Sequence, residues 1–124
     1  MTPKMRILIS DDHAEMRQLI KTVIADFAAG MIECENGSQA LDIYRENQPD
    51  WVIMDIKMPI TDGISATRQI KAAFPAARII IVTDYDDLRL RSAALSAGAC
   101  EYVTKDELIR LREILQASTL IDAV

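Results

Sequence analysis

Arg78-Ile79-Ile80-Ile81-Val82-Thr83 is the stretch that decides the fold. Four apolar β-branched residues stand in a row. A strand with one wet face alternates apolar and polar side chains, so a strand without that alternation is covered on both faces. Trp51-Val52-Ile53-Met54 reads the same way. Around these two buried strands the chain alternates short apolar runs with segments of helical period. The expected strands are 6–10, 31–35, 51–54, 78–83 and 100–103, and the expected helices 13–27, 38–47, 62–74, 86–97 and 106–117. In the first helix Met16, Ile20, Val23, Ile24 and Phe27 recur at helical spacing, with Asp12 as the expected N-cap. Pro49 and Pro75 close the second and third helices, and Gly98 ends the fourth. Leu108, Leu111 and Leu115 share one face of the last helix. Five β-α units in strict alternation imply an α/β domain: a parallel sheet with helices on both faces. Right-handed crossovers leave few arrangements. The five-stranded order 2-1-3-4-5 is the expectation, with the ligand site beyond the carboxyl ends of the strands at the topological switch point.

Composition agrees with one packed domain. The chain has 124 residues, 50% hydrophobic and 27% charged, which excludes a disordered chain. The apolar run at 79–82 is far short of the roughly 20 residues of a membrane span. No apolar segment follows Lys4 and Arg6, so no secretory signal is expected. A net charge of −5, from 14 basic and 19 acidic residues, argues against direct nucleic-acid binding by this chain. Cys34 and Cys100 read as reduced thiols in a cytoplasmic protein. Their strands would lie at opposite sheet edges, roughly 19 Å apart, too far for a disulfide, so both are expected to be buried packing residues.

The residues that follow the strands carry the chemistry. The first strand runs into Asp11 and Asp12, the third into Asp55, the fourth ends at Thr83, and Lys105 follows the fifth. The fold would gather these three carboxylates, a hydroxyl and an ammonium on one rim. Two unit charges 4 Å apart repel by about 4 kcal/mol at an effective dielectric near 20, so the carboxylates require cations. Lys105 supplies one. A hard divalent ion suits the rest, and Mg2+ fits a few carboxylates plus a phosphate. A carboxylate beside such an ion can be a nucleophile toward phosphorus, with the ion and lysine holding the phosphoryl oxygens.

These residues carry a family resemblance. Ser10-Asp11-Asp12-His13, Asp55-Ile56-Lys57-Met58-Pro59 with Asp62-Gly63, Thr83, and Ala97-Gly98-Ala99 through Tyr102 to Lys105 together resemble the receiver domain of two-component response regulators. The resemblance implies a flavodoxin-like (βα)5 fold over residues 1–117, with 118–124 a tail or the start of a linker. It implies a phosphoacceptor signalling domain rather than an enzyme, with weak self-phosphorylation and self-dephosphorylation. Asp55 would accept the phosphoryl group. Asp12 and Asp55 would ligate Mg2+, Asp11 through water, and the backbone carbonyl of Lys57 would complete the protein ligands. Thr83 would bond the phosphoryl group, Tyr102 would turn inward behind it, and Lys105 would pair with Asp55 and then with the phosphate. The donor would be a histidine kinase or a phosphotransfer protein. The output would be a changed surface on helix four, strand five and helix five, which could also form a homodimer. Lysine followed by aspartate, with the Asp11-Asp12-His13 opening, is similar to the LuxR/NarL branch, whose members carry a helix-turn-helix output. The chain could therefore be a stand-alone receiver or the first domain of a longer regulator of transcription.

Two departures from the family pattern bear on function. Asp84 follows Thr83 where receivers usually have a small residue, so it is expected to repel anionic donors and slow phosphorylation. Asp106 follows Lys105 in place of a frequent proline, so a trans bond is expected. Two rival functions compete. The intact acceptor set argues against a degenerate receiver that works only as a protein-binding module, and Asp84 keeps that reading open. A haloacid-dehalogenase-like phosphatase needs a second acid two residues after its nucleophile, where this chain has Lys57. No GxxxxGK[ST] or GxGxxG loop is present. His13 reads as a first-turn residue rather than a relay histidine, Met16, Met54 and Met58 as gap-fillers, and Ile109 and Ile114 as edge core or dimer surface. One of Asp84, Asp86 and Asp87 should cap the fourth helix.

Overall fold

The computed structural model describes residues 4–122. Strands β1 (Met5–Ser10), β2 (Ala28–Cys34), β3 (Trp51–Met54), β4 (Ile79–Thr83) and β5 (Glu101–Thr104) form one parallel sheet in the order β2-β1-β3-β4-β5. Helices α1 (Ala14–Ile24), α2 (Ala40–Asn47), α3 (Gly63–Ala73), α4 (Leu88–Ser96) and α5 (Ile109–Asp122) alternate with them. This is the expected flavodoxin-like arrangement. The central strands explain it, because each feeds two cores at once. Leu8, Val52, Met54, Ile79, Ile81 and Tyr102 point into the core under α2, α3 and α4. Ile7, Ile9, Ile53, Ile80, Val82 and Val103 point into the core under α1 and α5. Period-two alternation between two apolar cores looks, in sequence, like no alternation. Each fully buried Ile or Leu contributes roughly 1.5–3 kcal/mol, so the sheet is the stable platform of the molecule.

The helix ends show which local signals decide. Asp62 caps α3 by accepting from Ser65 N at 2.9 Å, and Asp87 caps α4 by accepting from Arg89 N and Leu90 N. Gln48 takes a left-handed conformation at the end of α2, just ahead of Pro49. Gly98, with φ 109°, reverses the chain after α4, a geometry for which glycine is suited. Asp12 is not the cap of α1. His13 holds that position, and Asp11 Oδ1 accepts the His13 N–H at 2.8 Å. Asp11 therefore makes the turn into α1.

Several other boundaries differ. β2 begins at Ala28 rather than 31, because pairing with β1 recruits a small-residue stretch of weak strand propensity. Residues Lys105–Glu107 form a 3-10 turn before α5, which runs on through Asp122, past the expected end at 117. Residues 123 and 124 of the expected tail lie outside the described residues. Cys34 is buried, but Cys100 is exposed, a correction to the expected burial. It stands in the turn leading into β5, an edge strand, with its N–H tied to the sheet through Ile79 O. Ile109 is exposed and Ile114 packs against the α1/α5 core. Met54 is fully buried, while Met16 and Met58 fill the margins of the two cores. Among the described residues no peptide bond is cis, and no helix is long and apolar enough to cross a membrane.

Candidate phosphoacceptor site

The order β2-β1-β3 places the switch point between the carboxyl ends of β1 and β3. The strand ladder runs on into the acids. Asp11 N–H donates to Cys34 O at 3.0 Å and Asp55 N–H donates to Ser10 O at 2.8 Å. The Gly63 N–H donates to Ile56 O at 2.7 Å. A Cβ at Gly63 would lie 1.8 Å from Asp55 O, so only glycine lets α3 press this closely against the Asp55 peptide.

These backbone ties bring the predicted side chains together. Lys105 Nζ lies 3.3 Å from Asp11 Oδ2, 3.6 Å from Asp55 Oδ1 and 3.8 Å from Asp84 Oδ2. Asp11 and Asp55 are buried, with side chains 2% and 6% exposed, whereas Asp12 is partly open to solvent. One ligand atom from each of Asp11, Asp12, His13 and Asp55 fits within 4.8 Å of all the others. Burial, then the neighbouring Asp11 charge, pushes the Asp55 carboxyl up to about 6 against the pull of Lys105. Burial disfavours the Lys105 cation, but the charges of Asp55 and Asp11 outweigh it and raise its pKa.

The acid cluster fits a divalent cation. Asp11 Oδ2 is buried against the Lys105 ammonium at 3.3 Å, and that one ammonium faces three carboxylates. The donor set is all-oxygen apart from His13, as a hard cation requires. A cleft of about 370 Å³, lined by His13, Glu15, Met16, Leu19, Asp84 and Lys105, lies between the start of α1 and the Lys105 ammonium. Asp84 is exposed, with its Oδ2 3.8 Å from the Lys105 ammonium.

Behind the acids, Thr83 is fully buried at the end of β4. Its Oγ1 accepts the Tyr85 N–H at 3.2 Å. The Tyr102 hydroxyl donates to the Tyr85 carbonyl. Tyr102 is inside, 2% exposed. Lys57 extends over the Tyr85 ring, its Nζ 4.7 Å from the centroid. Two contributors escaped the sequence reading. Tyr85 links Thr83 to Tyr102 through its backbone, which no side-chain pattern reveals. Arg17 is buried on α1 and donates from Nη1 to Asp11 O at 2.7 Å and from Nε to Glu33 at 2.9 Å. It holds the peptide between the two adjacent acids. Its signal was present: an arginine in helical register with Ile20 and Ile24, on the apolar face of α1.

The arrangement matches a known one. The model of the response regulator receiver domain matches residues 7–117. The chain belongs to the response regulator receiver family. It is 42% identical over 101 residues to the chemotaxis protein CheY of Bacillus subtilis, covering 81% of this chain and 84% of that protein. A crystal structure of a two-component response regulator of the LuxR family from Aurantimonas superposes with a TM-score of 0.86 at 33% identity, over 94% of this chain and 86% of that one. The CheY in a CheX-CheY-BeF3-Mg+2 complex from Borrelia burgdorferi superposes at 0.80 with 25% identity, over 90% and 87% of the two chains. A receiver is a signalling domain, and its phosphoacceptor function accords with the buried acids at this switch point.

Proposed function

We propose that Asp55 is the phosphoacceptor of this receiver, and that a phosphohistidine on a partner histidine kinase or phosphotransfer protein is its donor. The observation that carries this is a buried carboxylate, Asp55, within 3.6 Å of Lys105 and within one cation's reach of Asp11 and Asp12. An Asp55 oxygen attacks phosphorus, the O–P bond forms as the P–N bond to the donor imidazole breaks, and the imidazole leaves with the bonding pair. Asp55 must be ionised to do this, and with its pKa near 6 it is so at neutral pH. Asp12, Asp55, the Lys57 carbonyl and, through water, Asp11 would hold Mg2+. When bound, that ion supplies positive charge to the phosphoryl oxygens in the transition state. The Mg2+ in the Borrelia relative's complex supports the choice of ion. Lys105 pairs with Asp55 before transfer and with the phosphoryl oxygens after it. Weak self-phosphorylation by small donors and slow self-hydrolysis follow from the same groups. Asp84 draws on the Lys105 charge and repels the incoming anion, so it slows labelling.

Thr83 and Tyr102 carry the state outward. The Thr83 hydroxyl donates to a phosphoryl oxygen only once that group is present, which biases the domain toward a second arrangement. Tyr85 moves with Thr83, and Tyr102 follows through its bond to the Tyr85 carbonyl. The readout surface is α4, β5 and α5, where Leu88, Leu95 and Ile109 are exposed. A partner, or a second copy of the chain, docks there, and the chain acts in the cytoplasm to control an output such as transcription. The test is intact mass after incubation with a small phosphodonor, with and without Mg2+. One Mg2+-dependent phosphoryl adduct is expected; no adduct with any donor would leave only the protein-binding reading. Thr83→Ala should keep most of the labelling and weaken the labelling-dependent change at α4, read by amide exchange. An unchanged exchange response would remove Thr83 from the switch.

A further inference from the structure

We propose that Arg17 is a positioning residue for the phosphoacceptor reaction: it fixes the Asp11–Asp12 peptide and, through that peptide, the carboxylate of Asp12. The inference rests on reading the acid cluster as the phosphoacceptor site. The two adjacent acids are held differently. Asp11 is locked from several sides. Its N–H donates to Cys34 O at 3.0 Å, its Oδ1 accepts the His13 N–H at 2.8 Å, and its Oδ2 lies 3.3 Å from the Lys105 ammonium. The Asp12 side chain is 29% exposed, and its described partner, His13, is 69% exposed. With so little around it, the place of Asp12 within 4.8 Å of the other acids is set by the backbone that carries it. Among the bonds described, the Asp11–Asp12 peptide has one, from Arg17 Nη1 to the Asp11 carbonyl at 2.7 Å. Arg17 is itself clamped. Its side chain is 10% exposed, its Nε donates to Glu33 Oε1 on β2 at 2.9 Å, and its Nη2 lies 3.7 Å from Glu35. Lys21 Nζ braces the other Glu33 oxygen at 3.1 Å. A rigid fork that grips a carboxylate and a carbonyl at once belongs to arginine and not to lysine. Packing alone asks for no charge here, because Ile20 and Ile24 continue the same buried face of α1.

Charge and position predict opposite signs. A guanidinium beside an acid cluster repels a bound cation, so its removal would tighten Mg2+ binding if charge alone mattered. Removing the support of a ligand loosens binding, typically by about 10–100-fold. Arg17→Met keeps the apolar stem and loses the guanidinium. Calorimetry with Mg2+ alone should show it binding about tenfold more weakly than the wild type. In labelling by acetyl phosphate, read by intact mass, the Mg2+ concentration at half-maximal rate should rise about tenfold, while the rate at saturating Mg2+ falls less than about threefold. Ile24→Val loosens the packing of α1 without touching the Asp11–Asp12 peptide, and its Mg2+ binding should stay within about threefold of wild type. Should the methionine variant not fold, Arg17→Lys carries the test. It keeps the charge and the stem but not the fork, and it should lose at least about threefold in Mg2+ affinity. Unchanged or tighter Mg2+ binding by the folded Arg17 variant, or an equal loss in Ile24→Val, would overturn the proposal and leave Arg17 as a fold-stabilising residue. Failure of the wild-type chain to bind Mg2+ would overturn the reading of the acid cluster on which the proposal rests.

Discussion

Asp55→Asn should take up no phosphoryl group under conditions in which the wild-type chain gains one. The amide is nearly isosteric, so the fold and the approach of a donor survive, and what is lost is the anionic nucleophile. Neighbouring acids are poor substitutes. Asp11 has one oxygen on the His13 N–H and the other buried beside Lys105. Asp12 is partly open to solvent, against His13, and has no contact with Lys105 among those described. Asp84 reaches Lys105 at 3.8 Å, but its carboxylate is 71% exposed and lies outside the cation cluster. Intact mass after exposure to a small phosphodonor and Mg2+ is the measurement. The variant should stay at its unmodified mass throughout, and an adduct of wild-type yield would move the acceptor away from Asp55.

How much of this was legible in the sequence differs by element, for physical reasons. β3 and β4 were readable because burial on both faces leaves a continuous apolar run, and their bounds came out within a residue. β2 is an edge strand, and its first residues, Ala28 to Gly30, pair because β1 is there, not because of their own propensity. Asp62 and Asp87 stand immediately before apolar helical segments and do cap them. Asp12 stands before one too, but Asp11 makes the turn first and shifts the cap to His13. Asp11, Asp55, Thr83 and Lys105 could be gathered on paper because strand ends converge once the sheet order is known. Arg17 on the Asp11 carbonyl and Tyr85 between Thr83 and Tyr102 could not. Each bond has a backbone group at one end, the Asp11 carbonyl for Arg17 and the peptide groups of Tyr85 itself, so even where a residue stands out, as Arg17 does on the apolar face of α1, its partner cannot be read.

The same Asp55→Asn change should make the cation-free domain more stable at neutral pH, and the sign follows from linkage. The Asp55 carboxyl titrates near 6 in the fold against an ordinary value of 3.8. Between those values the folded chain binds more protons than the unfolded chain, so stability falls as pH rises from about 4 to about 6 and stays lower above that window. A shift of about two pKa units corresponds to roughly 3 kcal/mol, an order-of-magnitude figure for a carboxylate that is nearly inaccessible. Asparagine carries no charge, so the repulsion with Asp11 and the cost of burying an anion both vanish. Lys105 keeps Asp11 and Asp84 as partners. In chelator at pH 7.5 the variant should therefore unfold roughly 10 °C higher than the wild type, and the gap should close as pH falls toward 4. A divalent cation should close it from the other side. At one hundred times its dissociation constant it stabilises the wild type by about 2.7 kcal/mol, and it helps a variant with one fewer carboxylate less. Thermal unfolding across pH, with and without Mg2+, checks all of this. A variant no more stable than wild type in chelator, or a gap indifferent to both pH and Mg2+, would mean that Asp55 is not held as an uncompensated anion.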